Sequence, residues 1–310
     1  MMKLKTGLMA SAVAFAFAGT AYAEGCDKVI FSDVGWTDIT ATTAATTTVL
    51  EALGYKTETK LLSVPVTYTA LAEGDVDVFL GNWMPTMEAD IAPYRDAGTV
   101  ETVRTNLEGA KYTLATNEAG AALGIKDFAD IAAQKDALEG HIYGIEPGND
   151  GNRLILDMIE KDAFGLKGFK VVESSEQGML AEVGNKSADS KPIVFLGWEP
   201  HPMNANYKMT YLTGGDDFFG PNFGGAIVAT NTRTGYVAEC PNTGKLLQNL
   251  VFSLQMENEI MGAILNDGTD PSEAARAWLA ANPTAWEPWL EGVTTKDGGD
   301  AKAAVAAALQ

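Results

Sequence analysis

At 310 residues, with 41 acidic against 22 basic side chains, the chain carries a formal charge of −19. So negative a surface argues against nucleic acid and anionic lipid as partners, and it is compatible with a cationic one. The two histidines, His141 and His201, belong to no HExxH or Cys/His cluster, so neither a metal site nor a metal cofactor is expected.

Residues 1–23 read as an export signal. MMKLK is a positive start, TGLMASAVAFAFAGT a short apolar run, and Ala21-Tyr22-Ala23 a small-x-small cleavage site. The run is too short to span a membrane. Glu24 puts a charge where a lipid-anchored Cys26 wants a small or apolar neighbour. The mature chain is therefore expected to be exported, soluble, and to start near Glu24. Its two cysteines, Cys26 and Cys240, then lie in an oxidising compartment, which favours a disulfide over a metal site.

From residue 28 onward, apolar runs rich in β-branched residues alternate with helical spacing. KVIFSDVGW (28–36) predicts a strand and DITATTAATTTVLEALG (38–54) a helix stopped by Gly54. YKTETKLL, VDVFLGN, AKYTLAT, HIYGIEP, FKVVES and KPIVFLG predict further strands, with VTYTALAEG and NRLILDMIEKDAFG as helices between them. This rhythm indicates an α/β fold with a mainly parallel sheet covered on both faces. After KMTYLT the texture changes. A glycine-rich connection, GGDDFFGPNFGG, leads to the strand GAIVATN and then to a helical C-terminal stretch with an amphipathic or frayed tail.

Chemistry-bearing residues are few. There is no G-x-S-x-G elbow and no Walker loop, so a nucleophilic enzyme would have to recruit His201 between its two prolines. The tryptophans are more informative. Trp278, Trp286 and Trp289 sit among Ala and Leu in helical sequence and read as core. Trp36, Trp83 and Trp198 each follow a glycine at a strand end, where open α/β sheets bind ligands. Three indole faces around one pocket suit a quaternary ammonium, which has no N–H to donate. Each desolvated cation–π contact adds about 2 kcal/mol or more. Tyr112 offers a fourth wall. Asp38 stands where the N-cap of helix 38–54 is expected, and its second oxygen is free to meet a ligand. Asn149, in EPGNDGN, is expected on a turn between a strand and a helix, where asparagine serves the backbone; an amide so placed could also meet a ligand hydroxyl.

Taken together, FSDVGWTDITATTAATTTVLEALGY, GDVDVFLGNWMPTM, GAKYTLAT, IEPGND and FLGWEPHPMN make the chain resemble the choline-binding periplasmic receptors of ABC importers, within the glycine betaine/choline substrate-binding family. The resemblance implies a type II periplasmic binding protein fold: two α/β lobes, a ligand cleft and a two-crossover hinge. With crossovers near 110 and 209, lobe one holds 24–110 and 210–310, and lobe two holds 111–209. It implies an aromatic box of Trp36, Trp83, Tyr112 and Trp198, with Asp38 and Asn149 taking the choline hydroxyl, and a Cys26–Cys240 disulfide. It also implies a monomeric receptor that is not an enzyme and needs no cofactor, delivering choline to an inner-membrane permease. Glycine betaine, acetylcholine or another quaternary ammonium is the alternative ligand, and betaine's carboxylate would meet repulsion from Asp38. An exported choline-ester hydrolase is the competing reading from another class.

Overall fold

The structure, a computed structural model, describes residues 26–310, so the expected leader 1–23 lies outside the described residues. Nine strands form one sheet: β1 (Lys28–Asp33), β2 (Lys56–Leu61), β3 (Val78–Met84), β4 (Val100–Asn117), β5 (His141–Tyr143), β6 (Lys170–Val172), β7 (Val194–Glu199), β8 (Met209–Tyr211) and β9 (Gly225–Arg233). Their order is β2-β1-β3-β9-β4-β7-β5-β6, with β8 beside β4. The flanks are parallel, as the alternating strands and helices suggested. The middle corrects that expectation, because β9 and β4 pair antiparallel with each other, with β3 and with β7. The cause is the two long connecting strands: β4 has 18 residues and β9 has 9, and they run in opposite senses between the flanks. The crossovers expected near 110 and 209 fall within β4 and at the start of β8. Three register shifts interrupt β4 against β9, and such bulges bend a strand.

The repeated VFLG stretches have a packing explanation. β3 and β7 are buried along nearly their whole length, as strands covered on both faces must be, which accounts for the unbroken apolar runs. Each glycine lies where a neighbour presses in. A Cβ at Gly81 would come within 2.6 Å of Ile39 Cδ1, and one at Gly197 within about 3 Å of Met209 and Ala115. Glycine in a strand marks this kind of close approach. In both strands the glycine is followed by a tryptophan near the end, and the X-Pro bonds just beyond, Met84–Pro85 and Glu199–Pro200, are both cis.

Helix α1 (Thr37–Ala52) is buried on nearly every side, between β3 and the helices Leu254–Leu265 and Pro271–Ala281. Alanine and threonine suit so crowded a helix. The hydroxyls of Thr42, Thr46 and Thr48 bond to carbonyls one turn back, so their burial leaves those groups satisfied. Trp286 and Trp289 are buried in the core as expected, whereas Trp278 is only half-buried and donates its N–H to Glu259. The C-terminal tail is a helix, Ala301–Ala308, which buries Ala301 and Val305. Cys26 and Cys240 form a disulfide across 214 positions of sequence, tying the chain just before β1 to the helix Pro241–Asn249. Among the described residues no helix is long and apolar enough to cross a membrane.

Candidate functional site

A pocket opens beside the centre of the sheet, where strand direction reverses. It is lined by all six residues expected from sequence, together with Ile145. Their positions follow from local backbone rules. Trp36 follows Gly35, whose φ of +84° a residue with a Cβ rarely adopts, and it occupies the cap position of α1. Trp83 and Trp198 lie near the carboxyl ends of β3 and β7. Tyr112 lies directly opposite Trp198 in the β4–β7 register, so one strand pair supplies two walls.

The rings meet edge to face, with Tyr112 between the two tryptophans. Its centroid lies 6.0 Å from that of Trp83, at 62°, and 6.2 Å from that of Trp198, at 83°. Hydrogen bonds fix the other ring orientations. Trp83 Nε1 donates to Asp38 Oδ2 at 3.0 Å, Trp36 Nε1 donates to Glu146 Oε1 at 2.9 Å, and the Tyr112 hydroxyl donates to Asn149 Oδ1 at 2.9 Å. The polar atoms of these three rings are thus occupied by protein groups.

Asp38 departs from its expected place. Helix α1 starts one residue earlier than the sequence reading put it, so Asp38 lies in the first turn rather than at the cap. Its Oδ2 is held by Trp83, while its Oδ1 is buried and has no hydrogen-bond partner among the described residues. Asn149 caps the helix Asp150–Glu160, accepting from Asn152 N at 3.1 Å as well as from Tyr112. Its Nδ2 donates to Asp150 Oδ1. Both lone-pair directions of Asn149 are therefore used, and what remains for a ligand is one N–H.

The electrostatics are one-sided. Burial pushes the Asp38 carboxyl up to about 8, and the nearby Glu176 charge adds to the rise. Burial likewise pushes Glu146 up to about 7 and Asp150 up to about 6. Glu257, behind Asp38, is raised well above its ordinary value by burial and by Asp38 itself. No lysine, arginine or histidine lines the cavity. A cation placed there would supply the countercharge that Asp38 and Glu146 lack, and the aromatic faces would hold it without N–H donation. A ligand hydroxyl would find an acceptor in Asp38 Oδ1 and a donor in Asn149. His201, the residue a hydrolase would need, is buried with both ring nitrogens engaged, by Glu176 and by the Met203 N–H.

Sequence reading missed Ile145, Glu146 and Glu176. The first two adjoin Asn149 in the segment IEPGND, directly after β5. Glu176 carries no such signal, since it reads as an ordinary first-turn acid.

Residues 27–281 match the family OpuAC, described as the substrate binding domain of ABC-type glycine betaine transport systems. A solved "ABC-transporter choline binding protein in complex with choline" is 74% identical, with a TM-score of 0.92 over 93% of this chain and 99% of its own. An "ABC-transporter choline binding protein in unliganded semi-closed conformation" is also 74% identical, but its TM-score is 0.85, over 92% and 99% of the two chains. At equal identity, this chain's shape is nearer the choline-bound form. Lactococcal OpuAC, closed on glycine betaine, is 25% identical with a TM-score of 0.77, over 84% of this chain and 98% of its own. The architecture is thus the α/β, type II fold of periplasmic binding proteins, and the chain belongs to the OpuAC family of ABC-transporter substrate-binding domains.

Proposed function

We propose that the chain is a periplasmic receptor that captures choline between two lobes and hands it to an ABC permease. The observation that carries this reading is Asp38 Oδ1, a buried carboxylate oxygen without a partner on the wall of an aromatic cavity. Trp36, Trp83, Tyr112 and Trp198 surround the trimethylammonium, Asp38 accepts the hydroxyl proton, and the spare N–H of Asn149 donates to the hydroxyl oxygen. The 74% identical relative solved with choline supports the ligand. Lobe one comprises 24–110 with 210–310 and lobe two 111–209, so that Trp83 and Trp198 close on the ligand from opposite sides. The export signal 1–23, the oxidised Cys26–Cys240 pair and the transport family support the periplasmic location.

Glycine betaine is the second reading, favoured by the family description and the lactococcal relative. Its carboxylate would need a donor where Asp38 stands, and the cavity lining holds no cation to meet it. The test is intrinsic tryptophan fluorescence of refolded, ligand-stripped protein. Choline should change the emission saturably, and acetylcholine should be returned unhydrolysed. Turnover of acetylcholine would instead favour the hydrolase.

A further inference from the structure

Helix α1 begins without a cap of its own, because Trp36 occupies the cap position and its side chain accepts no backbone N–H. The missing acceptor comes from across the cavity. Glu176, at the start of the helix Glu176–Ala188, is 1% exposed, and its Oε2 accepts from the Thr37 backbone N–H at 2.9 Å. Oε1 accepts from the Thr37 hydroxyl and lies 3.2 Å from His201 Nε2. The His201 tautomer follows from its other nitrogen, since Nδ1 accepts from the Met203 N–H at 2.9 Å. Nε2 therefore carries the proton and donates. His201 in turn sets its ring against Trp198, with centroids 5.0 Å apart.

Three donors thus converge on one carboxylate, and they come from both flanks of the sheet. Thr37 stands between Trp36 and Asp38, directly after β1, whereas Glu176 and His201 flank β7 on the other side. Glu176 is not among the residues lining the cavity, so it acts through its neighbours. We propose that Glu176 is a positioning residue, a buried clasp that ties the Trp36–Asp38 corner to Trp198 and holds the box shut on its ligand. The clasp rests on the choline reading only for the identity of what is held. When the cleft opens, α1 loses its cap while Glu176 and His201, both in lobe two, stay together, so the clasp acts on release rather than on encounter.

Glutamine at 176 cannot reproduce this. A carboxylate accepts all three donors, whereas an amide presents its own N–H to at least one of them. The test is stopped-flow release of choline from the full mature chain. Glu176→Gln should speed dissociation about tenfold or more while association stays within about threefold, since breaking a buried charged bond acts on the off-rate. Thr37→Val, which removes one clasp bond without changing charge, should speed release severalfold, and Thr37→Ser should keep the wild-type rate. Hydrogen exchange at the Thr37 amide in the choline complex should quicken in Glu176→Gln. The clasp is overturned if Thr37→Val releases choline at the wild-type rate. It is equally overturned if Glu176→Gln lowers only the melting temperature of the ligand-free protein. Should Glu176→Gln not fold, the Thr37→Val and Thr37→Ser pair decides. Should the wild type bind glycine betaine in place of choline, that failure appears in the wild-type titration, and the variant-to-wild-type rate ratio is read with betaine.

Discussion

Asp38→Asn isolates the group to which the proposed choline selectivity is assigned. In the wild type, Oδ2 is committed to Trp83 Nε1, and Oδ1 is the acceptor left for a ligand. Asparagine can keep the Trp83 bond through its carbonyl, but it then presents an N–H where the choline hydroxyl needs an acceptor. Losing a charge-assisted hydrogen bond should weaken choline by about 1.5–3 kcal/mol, roughly ten- to a hundredfold. Glycine betaine should hold its affinity near pH 7, where Asp38 keeps its proton, and gain above pH 8, where an ionised, repelling carboxylate has been replaced by a donor. Stability should respond in a sign-specific way. The folded chain holds the Asp38 proton up to about 8, well above the usual carboxylate range. The stability of its neutral form is complete below the unfolded value and is lost as pH rises towards about 8. Ligand-free Asp38→Asn should therefore already melt above the wild type at pH 6, and further above it at pH 9. Calorimetric titration of both ligands into both proteins, with thermal scans at the two pH values, measures all of this. An unchanged choline-to-betaine ratio would refute the reasoning and leave Asp38 as only a first-turn acid of α1.

A cation beside Asp38 lowers its proton affinity, so choline binding near pH 7 should release protons, and affinity should rise with pH up to about 8 and then level. Titrations in buffers of different ionisation heat check this, and equal heats would contradict it. Trp198→Ala should weaken choline by about 2 kcal/mol or more. Because Trp198 is itself buried against Tyr112 and His201, it should also lose some stability while folding. Trp286→Ala should lower stability by about 3–5 kcal/mol and leave the affinity of the folded fraction intact, as read by denaturant unfolding beside calorimetry. Reducing Cys26–Cys240 should lower stability by up to about 5 kcal/mol, given the 214-residue separation, with little change in choline affinity because neither cysteine lines the cavity.

The site was legible where local rules and a cluster of unusual residues coincided. Trp36, Trp83 and Trp198 stood out because a glycine shortly precedes each at a strand end, and the structure brings all three to one cavity. Their pairing with Tyr112 was not readable, since it depends on the register of β4 against β7, strands some eighty residues apart in sequence. For the same reason the antiparallel centre escaped notice. β9 reaches β3 and β4 across more than a hundred positions, and a strand's own sequence does not name its partner. Asp38 was placed at the cap because aspartate favours that position. The structure puts Trp36 there instead, and the cap is supplied by Glu176 from a distant helix. An acceptor that far along the chain leaves no local trace.

The central claim is that an acid-lined aromatic cavity selects choline over glycine betaine. Its most direct test is calorimetric titration of the refolded, ligand-stripped chain with each ligand in turn. A ceiling of about 1.5 kcal/mol per non-hydrogen atom limits so small a ligand to roughly 10 kcal/mol, so the choline dissociation constant should lie near micromolar and no tighter than about tens of nanomolar. Glycine betaine should bind more weakly by about tenfold or more, the share assigned to Asp38. Betaine binding as tightly as choline, or tighter, would contradict the account.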